Sequence, residues 1–263
     1  MPDRWDRYLV DYHDSKPGIT EDVLAGARDG ERRSPYDWLA GAVPTSAELV
    51  VDLGCGSGPL SGLLGPERVV GVDRSAGELA RAATTGCRLL RATVVALPVA
   101  DGVADAMTAS MVLMLIRPLE SVLAEVSRVL RPGGVLVATL PIRAAAPGPT
   151  TTSPAFAEIL GALGQAAEDY PEPLHAPGLA DRFAAAGLSL EGDETAAFAR
   201  TVRGPDDAER VVRSFYAPGT GAAQVTAAVE ELQRRVRSAP VGIAYRIRRL
   251  VAVRTGGSSG RRA

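Results

Sequence analysis

Between Leu49 and Leu60 the chain reads Leu-Val-Val-Asp-Leu-Gly-Cys-Gly-Ser-Gly-Pro-Leu, a short apolar run interrupted by an acid and followed by alternating glycines. Val50, Val51 and Leu53 form the continuous apolar run of a strand that a parallel sheet buries on both faces. Gly54, Gly56 and Gly58 then allow a tight exit and a bare backbone that a ligand can approach. The reading is strand, loop, helix. Twenty-one residues past Asp52, a second strand from Arg68 to Asp73 again ends in an acid. A carboxylate at the tip of the second strand of a βαβ unit can accept both hydroxyls of a ribose, so this pair of strands asks for a nucleoside.

The glycine spacing narrows the choice. Pro59 stands where the dinucleotide fingerprint needs its third glycine, which weakens a pyrophosphate reading. A nucleoside carrying an amino acid fits better, because its ammonium suits Asp52 and the loop carbonyls. At this point the sequence resembles the class I S-adenosylmethionine-dependent methyltransferases of small-molecule type, whose first motif reads like Val51-Asp52-Leu53-Gly54-Cys55-Gly56-Ser57-Gly58. A second stretch, Leu130-Arg131-Pro132-Gly133-Gly134-Val135-Leu136, resembles the family's turn from helix into strand.

The resemblance implies S-adenosyl-L-methionine as cofactor and places Asp52, Gly54, Cys55, Gly56, Gly58, Asp73 and Arg74 around it. It also marks a departure. The family's usual acid for the adenine amino group, four residues before Leu97-Pro98, is here Thr93, whose hydroxyl can still accept that bond while the Val94 amide serves the ring. The loop that faces the donor methyl begins at Met111 and offers Val112, Leu113 and Met114 where relatives carry a polar or histidine residue. An apolar wall suits a sulfonium donor, because desolvation raises its electrophilicity. The leading segment resembles the aromatic helix that folds over the cofactor in such enzymes, which brings Tyr8, Tyr12, His13 and Lys16 toward the donor. There Lys16 is a candidate partner for the methionyl carboxylate, and His13 or Tyr12 a candidate base; His175 is a second candidate histidine.

Strands alternate with helices through the first 140 residues, so the expected fold is α/β, a doubly wound, mostly parallel seven-stranded sheet of Rossmann-like methyltransferase type. Expected elements are helices in pieces before residue 45, with Thr20 capping the second, and strands at 50–53, 69–73, 88–94, 105–113 and 135–140. Helices are expected at 60–64, 76–84, 118–129, 154–168, 178–187, 205–216 and 222–238, with an irregular strand at 188–197 and a last strand at 241–253. By organisation this gives an N-terminal helical cover (1–45), a cofactor-binding core (46–143), a lid or acceptor insertion (144–180), completing helices and strands (181–254) and a disordered tail (255–263). A single domain is the default at this length.

Composition excludes more than it selects. A net charge of −2 and 46% hydrophobic residues fit a globular protein with no polyanionic partner. Nine arginines and no acid follow Glu231, a run read as a solvated face because aromatics do not interleave with it as a nucleic-acid stacking surface requires. Cys55 and Cys87 have no metal-ligand spacing. The charged opening residues and the short apolar runs lead to an expectation of a cytoplasmic protein, neither secreted nor membrane-embedded. The partners expected are a small-molecule acceptor, no nucleic acid and no membrane, in a monomer or homodimer. The activity expected is transfer of the donor methyl to an N, O or S atom of a specialised metabolite. The alternative is a methyltransferase-fold enzyme that uses the donor for cyclisation or elimination, or keeps it bound while a cyclase reaction runs.

Overall fold

The structure is a computed structural model and describes residues 4–142, 161, 163, 171, 174 and 178–256. Chain contacts separate two compact units, each discontinuous in sequence: a sheet unit (36–140, 170–195, 248–263) and a helical unit (1–35, 141–169, 196–247).

The strands are β1 (Val50–Leu53), β2 (Val69–Asp73), β3 (Arg88–Arg91), β4 (Ala104–Ser110), β5 (Leu130–Pro141), β6 (Leu188–Val202) and β7 (Val241–Arg254). They form one seven-stranded sheet in the order β3-β2-β1-β4-β5-β7-β6. β1, β2, β3, β4 and β5 pair in parallel, with Asp52 beside Gly71 on one side and Thr108 on the other. Gly187 lies against Thr255, Gly192 against Val251 and Asp193 against Arg248, so β6 and β7 run antiparallel. The fold is therefore the expected mostly parallel Rossmann-like sheet. The order reverses direction at β1 and β4, and the carboxyl ends of those strands are where a doubly wound sheet leaves a crevice for a ligand.

In the sheet unit, α3 (Pro35–Ala40), α4 (Ser61–Leu64), α5 (Ala76–Ala82), α6 (Leu119–Val129) and α7 (Leu179–Ala185) accompany the strands. α6 buries Leu119, Val122, Leu123, Val126 and Val129, the apolar stripe written into its sequence. Ser75 caps α5 by accepting from the Glu78 amide at 3.1 Å. The helical unit holds α1 (Arg4–Ser15), α2 (Ile19–Ala25), α8 (Pro205–Arg213) and α9 (Ala222–Ser238), of which α2, α8 and α9 share a second core with Val202, Val241 and Ile243.

Several boundaries differ from the sequence expectation for identifiable reasons. β4 stops at Ser110 rather than 113, because Met111 turns to a left-handed φ of 57° and residues 113–115 close a 3-10 turn. β3 stops at Arg91, since Thr93 to Ala96 makes a turn. β5 begins at Leu130 instead of 135: Ala104 pairs with Leu130 and Ala106 with Val135, so the Arg-Pro-Gly-Gly segment bulges out of a continuous ladder. The second helix starts at Ile19 behind a left-handed Gly18, and Thr20 is inside it, its hydroxyl donating to the Glu21 carboxylate at 2.8 Å rather than capping. The linker at 144–153, nearly all of the helix expected over 154–168, His175 and the tail beyond 256 lie outside the described residues.

Candidate functional site

The glycine loop leaves β1 with φ of 57° at Gly54, 53° at Gly56 and 83° at Gly58. Gly54 has no room for a side chain: a Cβ there would stand 2.5 Å from Cγ2 of Val112, the residue that follows Met111. The ends of β1 and β4 therefore touch backbone to side chain. Cys55 is buried, and a Cβ on Gly71 of β2 would come within 2.9 Å of its Sγ, so the thiol lies down on the bare second strand. Its amide donates to the Val72 carbonyl at 3.0 Å, and its carbonyl accepts from Gly58 at 2.9 Å. The loop is thus anchored by the Cys55 backbone, with the Cys55 side chain laid against β2.

Asp73 closes the opposite side. One carboxylate oxygen accepts from the Gly56 amide at 3.0 Å and the other from the Ser75 amide at 2.9 Å. Each oxygen carries two acceptor directions, so this arrangement fixes the carboxylate plane and leaves each oxygen capacity for one further donor, the requirement of a vicinal diol. Asp52 behaves differently. It is buried at 2% exposure, and its Oδ1 accepts from the Thr108 hydroxyl at 2.7 Å across the β1–β4 pair. Arg74 follows, its carbonyl accepting from Arg91 Nε at 3.1 Å.

Thr93 is exposed and Val94 buried on the turn after β3, where Ala96 N donates to the Thr93 carbonyl at 3.1 Å. Met111 is partly exposed, its amide donating to the Thr139 carbonyl at 2.8 Å. From Val112 to Leu115 the loop is buried and wholly apolar, with no ionisable side chain to take a proton. Asp52, Gly54, Cys55, Gly56, Gly58, Asp73, Arg74, Thr93, Val94 and Met111 all belong to the sheet unit, at or beyond the carboxyl ends of β1, β2, β3 and β4.

Tyr8, Tyr12, His13 and Lys16 belong to the helical unit. The Tyr8 hydroxyl accepts from the Ala217 amide at 2.7 Å, and burial raises its pKa against that bond. Tyr12 donates to the Arg213 carbonyl at 2.8 Å, and His13 Nε2 shares a hydrogen bond with the Tyr216 hydroxyl at 2.9 Å. Lys16 Nζ lies 4.8 Å from the centre of the Tyr12 ring, and its ammonium is held below the ordinary lysine value by burial and then by the charge of Arg213.

Three residues of this geometry escaped sequence reading: Gly71, Thr108 and Tyr216. Gly71 alone carried a signal, as a lone glycine inside a β-branched strand marks a close approach. Among the described residues, no cluster of three His, Cys, Asp or Glu side chains could hold a metal ion, and no helix is long and apolar enough to cross a membrane.

Residues 51–138 match the family described as "Methyltransferase domain". No curated protein matches the chain in sequence. Among solved structures, the [4+2]-cyclase SpnF is similar at 19% identity and a TM-score of 0.62, with 97% of each chain covered. A Galdieria sulphuraria protein assigned as a sarcosine dimethylglycine methyltransferase is similar at 14% identity and a TM-score of 0.55, covering 96% of this chain and 99% of that one. A geranyl diphosphate methyltransferase, in complex with GPP and sinefungin, is similar at 17% identity and a TM-score of 0.51, covering 84% and 77%.

Proposed function

We propose that the chain is a class I S-adenosylmethionine-dependent methyltransferase, that its glycine cradle binds S-adenosyl-L-methionine and that the enzyme methylates an N, O or S atom of a small molecule. The observation that carries the reading is Asp73, whose two oxygens are each oriented by a backbone amide while keeping capacity for the two ribose hydroxyls. The remaining residues fit the donor chemically. The loop from Gly54 to Gly58 offers the bare backbone of three glycines, Asp52 brings a carboxyl group to the end of β1, and Thr93 with the Val94 amide suits an adenine edge.

When bound, this donor supplies a methyl group on a sulfonium, open to in-line displacement by a nucleophile. The chain's part is to hold, orient and dry. The buried apolar segment from Val112 to Leu115 excludes water from the end of β4, and positioning supplies much of the rate in such a reaction. With no base on that loop, a neutral amine or a thiol is the favoured acceptor class; an O-acceptor would need His13 or Tyr12.

The same base-free loop favours a second reading, in which the donor is bound while different chemistry runs; a [4+2]-cyclase is among the proteins whose fold this chain shares. One experiment separates the two. Purified protein is incubated with S-adenosylmethionine, with and without a small-molecule extract, and followed by mass spectrometry beside Asp73→Ala. Extract-dependent S-adenosylhomocysteine, with a matching methyl gain in one compound and loss of both in the variant, is expected. An extract compound converted without S-adenosylhomocysteine would support the second reading, and no dependence on Asp73 would remove the cradle from either.

A further inference from the structure

We propose that Glu125 and Arg128 on α6 are positioning residues for the donor: from outside the cradle they clamp the segment that carries Thr93 and Val94, and so set donor affinity. The inference rests on reading that cradle as the donor site.

Between β3 and β4 the chain forms no helix or strand and has one turn of its own, Ala96 N donating to the Thr93 carbonyl, so neighbours must fix where that turn sits. At its start Ala92 N donates to the Asp73 carbonyl at 3.0 Å, tying the segment to the residue whose carboxylate faces the ribose. Its far half is held entirely by α6. Leu97 N donates to Glu125 Oε2 at 2.8 Å. Arg128 then spends every N–H of its guanidinium: Nε on Glu125 Oε1 at 2.8 Å, one Nη on Glu125 Oε2 at 2.7 Å and the Leu97 carbonyl at 3.0 Å. The other Nη donates to the Val99 carbonyl at 2.7 Å and to Asp101 Oδ1 at 2.6 Å. The backbone adds Gly102 N to the Arg128 carbonyl at 2.8 Å.

Five donors in a planar fork meet five acceptors, three on the loop and two on the neighbouring carboxylate. A lysine has three donors radiating from one atom and cannot reproduce this spread. The helix that carries the clamp is itself immobilised by five buried apolar side chains. Thr93 and Val94 thus sit between two fixed points, Asp73 and α6, and any slack at Leu97 is felt where the adenine edge would be read. A charged pair this far from the ligand would otherwise be an ordinary partly exposed ion pair, and α6 supplies one for comparison: Glu120 with Arg182 at 2.7 Å, near its other end.

The test measures binding of S-adenosylhomocysteine and of adenosine by calorimetry, at a temperature where each variant is fully folded, for Arg128→Lys, Asp101→Asn and Glu120→Gln. Arg128→Lys is expected to weaken both ligands at least tenfold; Asp101→Asn, which takes the charge from one exposed strut and leaves the core intact, two- to threefold; Glu120→Gln, not at all. A melting temperature lowered equally by Arg128→Lys and Glu120→Gln, with unchanged affinity in both, overturns the positioning role and leaves an ordinary structural pair. Should Arg128→Lys fail to fold, unchanged affinity in Asp101→Asn overturns it as well. Wild-type protein that binds neither ligand removes the donor-site reading itself, a result distinct from unequal or equal variants.

Discussion

Met111 is a non-glycine residue held at a φ of 57°, at the end of the strand that borders the cradle. Left-handed backbone costs an L-residue about 1–2 kcal/mol, and such strain persists only where its surroundings impose it. Here they do: the Met111 amide is committed to the Thr139 carbonyl, and Val112 is committed to the bare Cα of Gly54. The strain can be separated from the side chain by comparing two variants that both lack the thioether. In an ordinary extended position alanine is more stable than glycine by about 0.5–1 kcal/mol. At position 111 the order is expected to invert, with Met111→Gly more stable than Met111→Ala by about 1 kcal/mol in denaturant unfolding. Alanine equal to or better than glycine would show that the backbone there is relaxed in solution.

At the scale of elements, the clamp on α6 has a pH signature with a definite sign. The hydrogen bond from Arg128 holds the Glu125 carboxyl below the ordinary glutamate value, against the opposing effect of burial. A carboxylate with a depressed folded pKa contributes stability above its unfolded pKa, and that contribution is lost as pH falls through the folded value. The stability advantage of wild type over Glu125→Gln should therefore be constant from pH 7 down to about 5 and shrink below the unfolded glutamate pKa of about 4.3. An advantage unchanged at pH 3.5 would mean that the carboxylate is not what secures Leu97. The same scale shows what a sequence can disclose. β1, β2 and α6 were legible because their apolar patterns are local and their partners lie within one βαβ unit. The end of β4 was not, because Met111 looks like one more strand residue until Thr139 and Gly54 fix its neighbours. Nor were the partners of the aromatic helix α1: Tyr8 finds Ala217, which lies 209 positions away, and no periodicity encodes that pairing.

For the whole molecule the question is what its charge distribution can attract. Of the nine arginines after Glu231, four are paired with carboxylates among the described residues. In the helical unit Arg234 and Arg235 both donate to Glu231, whose carboxyl is driven down to about 2 by those two guanidiniums. In the sheet unit Arg248 pairs with Asp193, Arg249 pairs with Glu194 while lying 4.4 Å from the Trp38 ring, and Arg254 donates to the Leu130 carbonyl. Acids contributed by β6, far away in sequence, therefore neutralise the basic face of β7. A nucleic-acid surface works by exchanging counterions for arginines, and an arginine already paired with a carboxylate releases none. Each phosphate neutralised on a single strand steepens the salt dependence of log K by about 0.7, so Arg237, Arg246 and Arg254, the described arginines of this run with no carboxylate beside them, could together give a slope of at most about −2.1. Anisotropy titrations with a labelled single-stranded RNA between 25 and 200 mM NaCl, salt concentrations chosen to span roughly one decade, should show weak binding with a slope no steeper than that. A slope near −3 would mean that the ion pairs open to a polyanion, and would replace the small-molecule acceptor with an RNA one.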